Sequence, residues 1–93
     1  VAYAPLETDI YELKRMYLHR EFRGKNKALD LLNHIFDIMY RKGAQELHAW
    51  SDDRFIRAHR FYIREGFTLI EGDTRFLNDI SNSTEIHFVK YFQ

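Results

Sequence analysis

The stretch EFRGKNKALDLL, Glu21–Leu32, passes from an arginine and a glycine, through Lys25-Asn26-Lys27, directly into an apolar helical pattern. On its N-terminal side, Ile10–Leu18 alternates loosely and is rich in strand formers, with Tyr11, Leu13, Arg15 and Tyr17 on one face. Both faces are partly apolar, the pattern of an interior strand covered on two sides. On its C-terminal side, Ala28, Leu31, Leu32, Ile35, Phe36 and Met39 recur at three- and four-residue spacing and predict a helix over Lys25–Lys42. Arg41 and Lys42 suit the negative helix end, and Gly43 is a natural residue just beyond it. A strand that enters a helix through a tight basic turn turns several backbone N–H groups toward one point and forms an anion site. Gly24 lets a ligand approach the backbone, Asn26 tolerates a left-handed conformation, and Arg23, Lys25 and Lys27 add charge. The alternative reading is an exposed loop decorated with basic residues.

The same alternation continues along the chain. Val1–Ala4 reads as the end of a strand closed by Pro5, and Gln45–Trp50 as the strand after the helix. Ser51, Asp52 and Asp53 offer N-caps for a second helix that runs to Arg64 and stops at Gly66. Phe67–Ile70 and Glu85–Phe92 read as strands. Between them GDTRFLNDISNST is mostly loop, with Thr74–Leu77 extending the earlier strand. The order is β-β-α-β-α-β-β, an α/β domain with a mixed sheet that is antiparallel at its ends.

Composition bounds the function. The 93 residues suit a single domain over 1–93, and 45% apolar with 16% aromatic residues predicts a folded chain. Fourteen basic and fourteen acidic residues cancel, which gives no general reason to expect a nucleic acid or an anionic membrane as partner. The rival there is a basic loop of Arg20, Arg23, Lys25 and Lys27 on nucleic acid, whose signature is steep salt dependence. The absence of cysteine excludes disulfides and thiolate chemistry and is compatible with a cytoplasmic chain. No run reaches the roughly 18 apolar residues of a membrane span. The N-terminus VAYAPLETD lacks the marks of a signal peptide, and its start without methionine suggests an excised or processed chain.

The run RAHRFYIREGF, Arg57–Phe67, is a helix that ends in glycine before an aromatic strand start. Together with YELKRMYLHREFRGKNKALDLL upstream it resembles the GNAT superfamily of N-acetyltransferases. The family's cofactor loop reads Arg/Gln-x-x-Gly-x-Gly/Ala. Arg23-Gly24-Lys25-Asn26-Lys27-Ala28 matches its arginine and its final small residue, and Asn26 stands where glycine is usual. The downstream pattern is met by Ala58, Phe61, Tyr62, Gly66 and Phe67, while Phe55 stands where many relatives carry asparagine.

The resemblance implies a GNAT-like fold without the family's usual N-terminal strands and helices, so the domain reads as incomplete at its N-terminus. It implies acetyl-CoA as co-substrate, with the pyrophosphate on the amides of Arg23, Gly24, Lys25, Asn26, Lys27 and Ala28, and pantetheine along Met16, Tyr17 and Leu18. It implies direct transfer of acetyl from thioester to a primary amine, on a small molecule or a protein. Tyr62 takes the position of the acid that meets the departing thiolate, where plain packing is the other reading. Glu12 would draw a proton from the amine, directly or through water; the other reading is a solvated strand carboxylate. A non-catalytic GNAT-derived module that binds CoA or a protein is the rival function. A shortened domain exposes a sheet edge and an apolar helix face, so a homo-oligomer, such as a strand-exchanged dimer, is expected.

Other candidates carry less. His19, His34, His48, His59 and His87 show no metal-ligand spacing, so no metal site is expected. His48 and Trp50 share one strand face and either line a pocket or pack. NDISNSTE, Asn78–Glu85, is a polar turn that would hold an acceptor amine through Asp79 or Glu85. No serine nucleophile elbow is present.

Overall fold

The computed structural model describes residues 2–14, 27–77 and 83–92. Five strands and two helices follow one another as β1 (Ala2–Glu7), β2 (Ile10–Lys14), α1 (Lys27–Lys42), β3 (Glu46–Asp52), α2 (Ile56–Arg64), β4 (Thr68–Leu77) and β5 (Ser83–Tyr91). The sheet order is β1-β2-β3-β5-β4. Among the described residues only β2 and β3 pair in parallel; the other pairings are antiparallel. The mixed α/β architecture and the order expected from the sequence both hold.

Two glycines stop the helices in the same way. Beyond α1, Gly43 adopts φ +70°, its N–H donates to Tyr40 O and the next N–H, of Ala44, donates to Met39 O. Beyond α2, Gly66 adopts φ +95°, with Gly66 N–H on Ile63 O and Phe67 N–H on Tyr62 O. Each pair of bonds satisfies carbonyls that a helix end otherwise leaves without partners. Both helices then feed one core. Leu32, Ile35 and Met39 of α1 and Tyr62 of α2 lie with Leu47, Ala49, Phe67 and Phe88 in a single buried cluster. Tyr62 packs on the Phe88 ring, and Phe36 meets Phe67 and Phe92. Phe88, Leu32, Met39 and Leu47 are fully buried.

Three boundaries differ from the sequence reading. Pro5 does not close β1, which runs on to Glu7 with an irregularity between Pro5 and Glu7. β1 is an edge strand, where one side of the backbone has no partner and proline is tolerated. Ser51, Asp52 and Asp53 do not cap α2. β3 continues to Asp52 because Asp52 pairs with Glu85, and α2 begins after Phe55 with no side-chain cap. Asp52 instead organises the turn: its Oδ1 accepts the Arg54 N–H at 2.9 Å, and its carbonyl accepts the Phe55 N–H at 3.0 Å. The polar segment after Ile70 is not a loop as far as Leu77. β4 runs through it, with the register breaking between Ile70 and Thr74 around Gly72 at φ +78°.

Alternation along the strands divides the sheet into two faces. Leu47, Ala49 and Phe88 turn toward the helices. Glu12, His48, Trp50, Glu85 and His87 turn the other way, as the register pairs Glu12 with His48, Trp50 with His87 and Asp52 with Glu85.

Candidate active site

The parallel ladder between β2 and β3 has three pairs: Ile10 with Glu46, Tyr11 with Leu47, and Glu12 with His48. Both strands continue past the last pair, β2 to Lys14 and β3 to Asp52, and among the described residues no further pairing joins them. From Glu12 and His48 onward the two strands part. Extended backbone facing extended backbone without a ladder offers hydrogen-bonding groups to a narrow, extended ligand. Among the described residues α1, the next element after β2 in the chain, begins at Lys27. A sixteen-residue helix presents its positive end there.

Of the residues expected to bind a cofactor, Met16, Tyr17, Leu18, Arg23, Gly24, Lys25 and Asn26 lie outside the described residues. Lys27 and Ala28 open α1. Asp79, proposed from sequence for an acceptor amine, also lies outside them.

Tyr62 and Glu12 sit on opposite faces of the sheet. Tyr62 is 4% exposed, with the Phe67 ring centroid at 5.1 Å and that of Phe88 at 5.3 Å. Burial, and secondarily the negative charge of Glu85, pushes its hydroxyl up to about 12. The phenol therefore stays neutral well above neutral pH. Glu12, 6% exposed, is not a solvated carboxylate. Its Oε1 lies 3.9 Å from Nη1 of Arg75, a residue of β4 whose guanidinium also pairs with Glu85 Oε1 at 2.5 Å. The Arg75 guanidinium carbon stands 4.5 Å from the Trp50 ring centroid.

On the Glu12 face, His48 and Trp50, paired by strand alternation in the sequence, are joined by Glu46, Asp73 and His87, which sequence reasoning missed as site residues. Glu46 Oε1 is 2.7 Å from His48 Nε2, His48 Nδ1 is 2.7 Å from His87 Nε2, and His87 Nδ1 is 2.7 Å from Asp73 Oδ2. The Trp50 ring lies 4.2 Å from that of His87 with only 2° between their planes. His48 and Trp50 therefore belong to a continuous polar and aromatic layer across β3, β5 and β4. The strand-face alternation signalled the pair; the β3–β5 register that adds His87 is not visible in the sequence. Among the described residues no group of three or more His, Asp or Glu is arranged to hold a metal ion, and no helix is long and apolar enough to cross a membrane.

Residues 1–67 match the Acetyltransferase (GNAT) family. The chain belongs to that family. Solved structures agree with the fold. A GNAT family acetyltransferase from Elizabethkingia anophelis, with acetyl-CoA bound, superposes with a TM-score of 0.78 at 14% identity, over 97% of this chain and 65% of the other. An IAA acetyltransferase from Bacillus cereus gives 0.79 at 14% identity, over 97% and 67%. The PaiA N-acetyltransferase from Thermoplasma acidophilum, in complex with coenzyme A, gives 0.71 at 24% identity, over 90% and 47%. The chain thus spans about two thirds or less of these acetyltransferases. A comparison with curated proteins gives no match.

Proposed function

We propose that this chain carries the acetyl-CoA half of an N-acetyltransferase that moves acetyl directly from acetyl-CoA to a primary amine. The observation that carries the reading is the parting of β2 and β3 after Glu12 and His48. Two GNAT structures of the same fold are described with acetyl-CoA or coenzyme A bound. In this reading the pantetheine arm lies in the parting, along β2 and Met16, Tyr17 and Leu18. The pyrophosphate rests on the amides of Arg23 to Ala28 at the start of α1.

A thioester held in the parting has the Tyr62 layer on one side of the sheet and the Glu12 layer on the other. The amine attacks from the Glu12 side, and the sulfur departs toward Tyr62. With its hydroxyl pushed up to about 12, Tyr62 stabilises the departing thiolate by hydrogen bonding more than by full proton transfer, since a thiol ordinarily titrates near 8.5. The acceptor is a small molecule or a protein amine. The Leu6 side chain on edge strand β1 and the exposed Phe55, Ile56 and Ile63 around α2 support a homo-oligomer, which light scattering would test.

The contact between Glu12 and Arg75 favours one second reading, a GNAT-derived module that binds CoA without turnover, because a carboxylate engaged by a cation is less available as a base.

Calorimetric titration of acetyl-CoA, beside Arg23→Ala and Gly24→Asp, tests the proposal. Saturable binding lost in both variants supports it, and an acceptor screen with Tyr62→Phe follows. No binding by a folded chain overturns it.

A further inference from the structure

Three element ends meet where β3 begins. Glu46 opens the strand, and its cross-strand partner is Tyr91, the last residue of β5. The chain reaches Glu46 from the glycine stop of α1, where the Ala44 N–H donates to the Met39 carbonyl at 2.9 Å. The Phe92 N–H donates to the Gln45 carbonyl at 2.8 Å and ties the end of β5 to the same turn. Between these ends lies a half-open cavity of about 620 Å³, within the size range of small-molecule sites. Tyr40 and Gly43 line it from α1, Gln45 and Glu46 from the start of β3, and Tyr91 and Phe92 from the end of β5. The parting of β2 and β3 lies past His48, toward the other end of β3.

Aromatic rings and negative charge come together here. Phe92 is buried, and the Tyr40 ring stands 5.1 Å from it, centroid to centroid, with 81° between the planes. The two rings therefore make perpendicular walls. Tyr40 and Tyr91 are 61% and 52% exposed, so both offer ring surface to a ligand. Glu46 supplies the charge. Its Oε1 lies 2.7 Å from His48 Nε2, which holds the carboxylate in place, and its Oε2 has no hydrogen-bond partner among the described residues.

The end of α1 adds to that charge, because a helix C-terminus is the negative end of its dipole. The basic residues of the last turn do not enter the cavity. Arg41 turns back to Asp37 at 2.7 Å, and neither Arg41 nor Lys42 is among the lining residues. An anion would meet Glu46 and the unfavourable end of the helix. A metal ion needs several ligating side chains, and among the described residues no group of three or more is arranged to hold one. A cation with apolar surface suits both the rings and the carboxylate.

We propose that this cavity binds a small organic ammonium ion, with the charged nitrogen between Glu46 and the Tyr91 ring and the apolar part against Tyr40 and Phe92. The site stands apart from the parting of β2 and β3 and does not depend on the acetyl-transfer reading.

The test titrates benzyltrimethylammonium into the whole chain and follows backbone amides by NMR. Benzyl alcohol and benzenesulfonate serve as neutral and anionic counterparts. Saturable shifts at Gln45, Glu46 and Tyr91 are expected with the cation alone. Tyr40→Ala and Tyr91→Ala, at exposed positions, should each weaken binding about 2- to 30-fold, the range of a single cation–ring contact. Glu46→Gln keeps the side-chain shape and its reach to His48 but removes the charge, and it should weaken binding comparably. Arg57→Ala, on the exposed side of α2, should leave the affinity unchanged. Absence of saturable shifts in the unaltered chain overturns the proposal. Equal binding of benzyl alcohol also overturns it, as does an affinity that ignores Glu46→Gln and both tyrosine changes.

Discussion

Lys90 Nζ of β5 stands 5.1 Å from the Phe36 ring centroid and donates to the carbonyl of Glu65 at 3.2 Å, directly over Gly66. One side chain thus closes the C-terminal end of α2, where a cation meets the negative helix end, and leans on α1 at the same time. The space it uses exists because residue 66 has no Cβ.

This relationship separates two kinds of glycine cost. A Cβ at Gly43 meets nothing within 4 Å, whereas one at Gly66 collides with Lys90 Nζ. Both residues have positive φ, so Gly43→Ala should cost about 1–2 kcal/mol from backbone conformation alone. Gly66→Ala should cost more, and Gly66→Ala combined with Lys90→Ala should recover part of the excess. Urea unfolding of the variants checks the order.

Alkaline stability should report the burial of Tyr62. Its hydroxyl is raised from 10.0 to about 12 in the folded chain, so the unfolded chain ionises first as pH rises. The favourable contribution is complete below pH 10 and is lost between pH 10 and 12, by about 3 kcal/mol in all at 1.36 kcal/mol per unit. Unfolding free energies of the unaltered chain and Tyr62→Phe, compared from pH 9 to 12, should diverge in that window and only there.

Arg75 joins β4 to β5, β3 and β2 through Glu85, Trp50 and Glu12. Arg75→Met removes its stacking on Trp50, for which about 0.5–2 kcal/mol is the usual range. It also leaves the buried Glu12 without that cation. A loss of stability within or slightly above that range is expected from urea unfolding, and near-UV circular dichroism should register the change around Trp50.

Within the core, Leu47 of β3 is fully buried between the helices and the sheet. Leu47→Ala should destabilise by about 2–5 kcal/mol through lost burial and the cavity left behind. That is a large share of the roughly 5–15 kcal/mol that holds a small domain folded. Thermal unfolding measures it.

Periodicity explains how much was legible in advance. The apolar spacing of Leu32, Ile35 and Met39 and the glycine stops at Gly43 and Gly66 are local signals, and the structure realises each of them as buried side chains and helix ends. Boundaries failed where tertiary pairing overruled local chemistry. Asp52 has the composition of a helix cap but belongs to a strand because Glu85 lies opposite it. Gly72-Asp73-Thr74 has the composition of a loop but is spanned by β4. Of the proposed site, Tyr62 is named by the family resemblance and Glu12 by its strand position. The cluster around His48 is legible from neither, because its members come from β3, β4 and β5 and only the insertion of β5 between the other two brings them together.

The parting of β2 and β3 is the central claim, and backbone amide NMR with acetyl-CoA tests it most directly. On titration, the amides of Leu13 and Lys14 on β2 and of Ala49 to Asp52 on β3 should shift and gain protection from exchange, together with those at the start of α1. The paired stretch from Ile10 to Glu12 should change less. Saturable binding that leaves Leu13, Lys14 and Ala49 to Asp52 unmoved would contradict the account.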